Sequence, residues 1–502
     1  MKGIMGIDLG TTGCKASLFD QYGSLIVQSY REYPVKGYDG SIEGDMVWKS
    51  TQEVIMECTT SADDFKVEAI CITSFGESVV LLDKEMQVLE KSILYSAGGV
   101  DEEWREFSQR LDPDQIYKIT GHISHPIYTI NRLMWYKKKF PELFSRIHKF
   151  MFFSSFIAWK LGAACIAENT QAARSMAYDV QKGEWCQEII ETAEIRKEIF
   201  PPIVCAGDVI GNVSDEMQKK LKLNGAPLII AGGHDQPCVA LGFGAVHKGD
   251  AVYGLGTVEC LSVVLGDYQN SEVMKRSHLV CSPHVIPKKF LTYGVLYSGG
   301  NVIKTLRDKI FLREINGTDK SVYERMFENI DTIQNHLMVV PHLFGAGTPS
   351  MQQKEGASII GLRAETTPEE ILQATLEGLT FDCLHNIENM RKSNIAVDHI
   401  CAAGGGAKSQ QALQLRANIL HQKLYVTDDV EAGARGVFFI AAKALGWIED
   451  YEGIVQYMKK RETHIAPQKE KAAYYNQKYE QYSKIEETCR TWSEVIRGQE
   501  KR

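Results

Sequence analysis

A phrase that occurs once in each half of this chain constrains its fold more than any local propensity does. Asp8 to Cys14 read D-L-G-T-T-G-C and Gly254 to Cys260 read G-L-G-T-V-E-C, with Leu, Gly, Thr and Cys recurring in register. A second pair follows in the same order: Ala231 to Leu241 (A-G-G-H-D-Q-P-C-V-A-L) and Ala403 to Leu413 (A-G-G-G-A-K-S-Q-Q-A-L). β-rich runs flank each Gly-Thr turn, and each Gly-Gly turn lies between an apolar run and a helical pattern. Chance supplies one such match; two in the same order indicate a duplicated α/β unit. At 502 residues the chain is long enough for two cores. The boundary is expected at 244–249, which divides the chain into residues 1–246 and 247–445. Beyond Leu445 the pattern is charged and helical, and residues 446–502 read as helices packed on the second unit.

Composition excludes several classes of function. The chain is 44% hydrophobic and 24% charged, as soluble globular proteins are. A formal net charge of −8 offers no basic face for nucleic acid. Lys137 to Lys139 stand at helical spacing among aromatic residues and read as a solvated helix face. No apolar run approaches the roughly 18 residues a membrane span needs. The twelve cysteines fall singly in apolar runs, without a C-x-x-C pair or a secretory leader. Reduced thiols and a cytoplasmic location are therefore expected.

Three glycine-rich turns could bring backbone amides close to an anion: Gly10 to Gly13, Gly254 to Thr257, and Gly404 to Gly406. Lys15 adds positive charge near the first. Neither a Walker loop nor an H-R-D signature is present. Two carboxylates stand out by position. Asp8 ends an apolar strand just before the first turn, a poor place for a solvated acid. Asp235 follows Gly-Gly-His after a buried-looking strand. On residues alone it reads either as a helix first-turn acid or as a base in the crevice at the carboxyl ends of strands. His234 reads as a structural histidine.

These turns resemble those of the FGGY carbohydrate kinases, within the actin-like ATPase group. G-I-D-L-G-T-T-G-C-K (Gly6 to Lys15) is similar to the family's first phosphate motif, G-G-H-D-Q-P to the segment bearing the catalytic aspartate, and A-G-G-G-A-K-S-Q to the adenine-side loop. Ala357 to Glu377 fits the C-terminal signature, and Tyr128 to Trp135 the N-terminal one, with Arg132 where lysine is usual. The resemblance implies two duplicated ribonuclease-H-like domains with a catalytic cleft between them. It implies ATP and Mg²⁺ as cofactors, Asp235 as general base on a substrate hydroxyl, and Asp8 with Asp235 toward the metal. Thr11, Thr12, Lys15, Gly256 and Thr257 would face the β- and γ-phosphates, with Gly405 and Gly406 beside adenosine.

The acceptor side departs from the family. Glu77, in S-F-G-E-S-V-V-L-L-D, stands where glycerol kinases carry a hydroxyl-binding glutamate and xylulokinases a histidine. Gly76 replaces the arginine of the glycerol-kinase form, which disfavours glycerol. In Y-S-A-G-G the family aromatic is kept as Tyr95, while Ala97 and Gly99 replace an aspartate and an arginine. The leading expectation is an ATP-dependent kinase for a small ketose or polyol. The alternatives are a kinase for a non-sugar polyhydroxy compound and a weakly catalytic protein that binds sugar and nucleotide. Expected partners are the small-molecule acceptor and ATP, with a homodimer left open.

Overall fold

The computed structural model describes residues 1–34, 40–309, 320–328, 330, 335–352, 355–427 and 431–500. The first half begins with β1 (Lys2–Leu9), β2 (Gly13–Asp20) and β3 (Leu25–Glu32), followed by α1 (Gly44–Ser61) and β4 (Lys66–Ser74). A long insertion then carries the single turn α2 (Asn169–Ala173). The chain returns to the sheet with β5 (Val209–Asn212) and β6 (Leu228–His234), and α3 (Asp235–Gly242) follows directly. The sheet order is β5-β6-β4-β1-β2-β3, with β1, β4 and β6 parallel and the remaining pairs antiparallel. β1 lies at the centre and is buried almost throughout, as a strand covered on both faces must be. β3 lies at the edge and alternates between exposed and half-buried residues.

The second half repeats this plan. Its elements include β7 (Asp250–Leu255), β8 (Glu259–Leu265), β9 (Phe290–Leu296), α4 (Gly300–Lys309), α5 (Pro368–Lys392), β10 (His399–Ala403), α6 (Gln410–Leu420), β11 (Leu424–Thr427), α7 (Ala432–Ala444), β12 (Glu462–Ile465) and α8 (Ala472–Glu500). The order β9-β8-β7-β10-β11-β12 matches the first sheet strand for strand, with the two-residue strand Ser282–Pro283 added beyond β9. The duplicated α/β expectation is met, with one correction to its register. The Gly-Thr turns are equivalent, each joining the first two strands of its sheet. Ala231 and Ala403 are not: counted across the sheet from β3 and from β9, β6 takes the fifth place and β10 the fourth. The topological counterpart of Gly404–Gly406 is Ser74–Glu77, and that of α3 is α7.

α1 covers one face of the first sheet, where Val47, Val54 and Ile55 meet Ile7, Leu18 and Ile72. α5, α6 and α8 cover the outer face of the second. Between the sheets lie α3 and α7. A Cβ on Gly242 would come within 2.0 Å of the Ala432 carbonyl oxygen, and one on Gly436 within 1.9 Å of that of Cys238, so the helices cross backbone to backbone. α5 begins at a capping box of Thr367 and Glu370 with Pro368 at its first position. The stretch after Leu445 is neither helical alone nor packed on the second half alone: β12 completes the edge of the second sheet, while Ile454, Val455 and Met458 join Ile4, Phe19 and Ile230 of the first half in one core. α8 is fastened by Tyr482, whose hydroxyl donates to Asp382 Oδ1 at 2.6 Å. His342 stands between Asp382 (3.0 Å) and Glu355 (3.3 Å). Despite burial, which opposes charge, these two carboxylates raise its pKa to about 10.

Candidate active site

Strand register brings the acidic candidates together. β4 pairs Thr73 with Asp8 on one side and with Gly233 on the other, so β1, β4 and β6 end side by side. Asp8 stands at one of these ends and Asp235 immediately follows another, in the crevice where open α/β sheets bind ligands. The Asp8 carboxyl lies against the first turn of α7, since a Cβ on Gly433 would come 2.5 Å from its Oδ2. Burial raises its pKa to about 6, with Lys15 opposing and Glu431 reinforcing. Lys15 Nζ is itself paired with Glu431 Oε2 at 2.6 Å, so its ammonium is directed across to α7 rather than into the Gly10–Gly13 turn.

Asp235 is raised further, to about 7, by burial first and then by the charges of Asp8 and Glu77. The Gln236 backbone N–H and Arg174 oppose the shift. Its side chain keeps 36% of its surface open while lying deep in the protein, as suits a recessed group that a ligand can reach. His234 Nε2 is 3.1 Å from Asp235 Oδ1. Burial holds that imidazole well below its usual pKa, so the contact is that of a neutral ring, not an ion pair. Burial first, and after it the charge of Asp235 among others, raises the pKa of Cys260 on β8 and of Tyr293 on β9.

Glu77 follows the end of β4 at the same crevice. Its backbone is left-handed (φ 61°), a conformation that costs a non-glycine residue about 1–3 kcal/mol and persists only when its surroundings enforce it. The enforcement is visible. The Thr129 hydroxyl donates to the Glu77 carbonyl at 2.6 Å, and the Arg174 guanidinium donates to Oε1 through Nε at 2.6 Å and through Nη2. Burial raises the Glu77 pKa, and Arg174 opposes that shift. Arg174 also lies 5.3 Å from the centre of the Tyr128 ring. Sequence reasoning missed Arg174. The available signal was a lone charge in a run of small and apolar residues, where burial requires a partner.

Tyr95 opens a three-residue turn at Tyr95–Ala97, and its N–H donates to Ser78 Oγ at 3.0 Å, next to Glu77. Ala97 lies so close to Gly40 that a Cβ there would come within 2.7 Å of its own. Gly98 and Gly99 are both left-handed and border open space, and the Gly98 carbonyl accepts from Arg132 Nη2 at 2.7 Å.

On the other half, β7 and β10 pair Gly254 with Ala403, which sets two of the glycine turns side by side. Gly404 has φ +89° and packs on Leu255, where a Cβ would lie 2.9 Å from the carbonyl oxygen. A Cβ on Gly405 would meet nothing within 4 Å. Gly256 and Thr257 are exposed, and their carbonyls accept from Gly300 (2.9 Å) and Asn301 (3.0 Å) at the start of α4. The Gly10 N–H donates to Gly13 across the first turn at 2.9 Å, leaving Thr11 half-buried and Thr12 exposed. Behind Gly256–Thr257, Arg416 forms a buried two-point pair with Glu259 (2.6 and 3.0 Å), which Tyr253 completes at 2.5 Å.

The chain matches the N-terminal domain model of the FGGY family of carbohydrate kinases over residues 3–242 and the C-terminal domain model over 251–445. It belongs to the FGGY family of carbohydrate kinases. It is accordingly an ATP-dependent phosphotransferase with an alcohol acceptor. It is 27% identical to a xylulose kinase of Staphylococcus epidermidis, over 96% of each chain. It is 26% identical to a glycerol kinase of Streptococcus pyogenes, over 90% of each. Its fold is similar to the ligand-bound xylulose kinase of Lactobacillus acidophilus, with TM-score 0.89, 25% identity and 97% and 98% of the two chains covered. A gluconate kinase from the same organism shows the same values. Among the described residues no helix is long and apolar enough to cross a membrane.

Proposed function

We propose that this FGGY kinase phosphorylates a hydroxyl of a small neutral ketose of the xylulose type, with Asp235 as general base. The observation that carries the reading is the placement of Asp235 between Asp8 and the Glu77–Arg174 pair, across from the glycine turns. The pair also bears on substrate class. The charge of Arg174 is already neutralised by Glu77 within a buried contact. A sugar acid would therefore meet a compensated cation, whereas vicinal hydroxyls can be received by the Glu77 carboxylate. Tyr95 and the open space beside Gly98 and Gly99 border this acceptor side.

In this reading Asp235 takes the proton of the attacking hydroxyl as its oxygen bonds to the γ-phosphorus, and ADP leaves with the electrons of the broken P–O bond. The gain comes from alignment and electrostatics. Thr11, Thr12, Gly256 and Thr257 receive the β- and γ-phosphates, and Gly405 and Gly406 border adenosine. Lys15 acts by holding Glu431 beside Asp8. Asp8 and Asp235 suit Mg²⁺, a hard cation that prefers carboxylate oxygens, and burial first and then neighbouring negative charge raise the pKa of both. The ion would neutralise the charge of the transferring phosphoryl group. Residues 1–246 form the acceptor side and 247–445 the nucleotide side. The free cysteines suit a reducing cytoplasm.

The test is ADP release from Mg-ATP across a panel of ketopentoses, ketohexoses, polyols, aldonates and glycerol. A ketose should stimulate most. Stimulation by an aldonate alone would overturn the neutral-substrate assignment.

A further inference from the structure

The segment Glu168–Arg174 (E-N-T-Q-A-A-R) touches the acceptor side at three points. Glu168 caps α2, its Oε2 accepting the N–H groups of Thr170 (3.0 Å) and Gln171 (3.1 Å) and the Thr170 hydroxyl at 2.6 Å. A threonine hydroxyl has a single proton to donate. With that proton directed to Glu168, the oxygen is left to accept, and it accepts the His234 N–H at 2.8 Å. His234 immediately precedes Asp235. Gln171 Nε2 donates to the carbonyl (3.0 Å) and hydroxyl (2.9 Å) of Ser74, at the end of β4. Arg174 holds Glu77, three residues further on. Glu168, Thr170 and Gln171 are buried, with at most 2% of their surface exposed.

We propose that Glu168–Arg174 is a positioning clamp that sets the separation of Glu77 and Asp235, with Thr170 placing Asp235 and Arg174 placing Glu77. The inference rests on the roles given to Asp235 and Glu77 above. Its physical content is that the ends of β4 and β6 are locked to one short segment, not merely to each other. A displacement of about 1 Å at a reacting group can cost about a hundredfold in rate.

The two ends of the clamp separate kinetically. Thr170→Val keeps shape but removes the acceptor for His234. It should lower kcat about 10- to 100-fold, with the KM for sugar and the affinity for ATP within about twofold of wild type. Thr170→Ser, which restores the hydroxyl, should recover kcat to within about threefold. Arg174→Lys keeps the charge but loses the planar fork, and should raise the sugar KM about tenfold with a smaller effect on kcat. If Thr170→Val does not fold, Glu168→Gln serves in its place, with the same loss in kcat expected because the group orienting the hydroxyl is weakened. Wild-type kcat in whichever of these variants folds, or loss matched only by a lower folded fraction, would overturn the clamp. Asp235→Asn in the same assay separates the two failures. If it retains turnover, the underlying role of Asp235 fails. If it is inactive while the clamp variants behave as wild type, only the clamp fails.

Discussion

The two halves share a strand order and put its edges to different use. At the end of its first strand the first half carries Asp8 before the turn, whereas the second carries Gly254 at the matching position. After the fourth strand the first half has Ser74–Glu77, with a carboxylate held in a left-handed backbone, and the second has Gly404–Gly406, with almost no side chain. Among the described residues, each half also buries an arginine–glutamate pair. Glu77–Arg174 faces the crevice, while Glu259–Arg416 is sealed behind the Gly256–Thr257 turn with Tyr253. In the proposed function, one set of strand ends presents recessed carboxylates to an alcohol, and the other presents backbone to a nucleotide. Duplication supplies the geometry, and side chains at equivalent strand ends divide the labour.

The contrast can be broken most sharply at Asp235. Asp235→Asn should lower turnover about 10²–10⁴-fold, the scale of a positioned base, in steady-state ADP release. Next is the sealed pair. Arg416→Met leaves Glu259 buried without its partner and should cost about 3–5 kcal/mol of stability in denaturant unfolding, with the sugar KM unaffected in the folded fraction. Adding Glu259→Leu should recover much of that loss, since a packed apolar pair of similar volume can match a buried ion pair. The pair that faces the crevice should behave otherwise: Glu77→Gln should raise the sugar KM about tenfold with a smaller effect on kcat.

The smallest effect concerns pH. The pKa of His342 lies near 10 in the folded protein, against about 6.5 for an unperturbed histidine. Folding therefore favours the protonated ring. The stability gained is fully present below about pH 6.5 and is lost as pH rises toward 10. His342→Gln should lower the unfolding temperature by about 3 °C at pH 6, with the difference shrinking toward pH 10.

Contiguous features were legible in the sequence. The Gly-Thr turns, Asp8 and Asp235 each lie inside a local phrase whose residues are also neighbours in space. Arg174 was not, because its contact with Glu77 spans 97 positions and crosses the insertion. The second repeat was seen but set one strand out of register, since A-G-G follows an apolar strand in both units although the strands occupy different places in the sheet. β12 was missed because four residues, E-T-H-I, show too little alternation to stand out beside long helices. Lys15 was correctly placed near the first turn, but its pairing with Glu431 depends on a helix more than 400 residues away.

The most direct test of this division of labour measures ATP affinity and sugar-stimulated ADP release in two single variants. Asp235→Asn removes the base. Gly405→Val fills space that nothing in the protein occupies within 4 Å of the added Cβ. The account predicts a crossover: Asp235→Asn binds ATP like wild type and does not turn over, while Gly405→Val loses ATP affinity and keeps its sugar KM at saturating ATP. Loss of ATP binding in Asp235→Asn together with unchanged ATP affinity in Gly405→Val would contradict it.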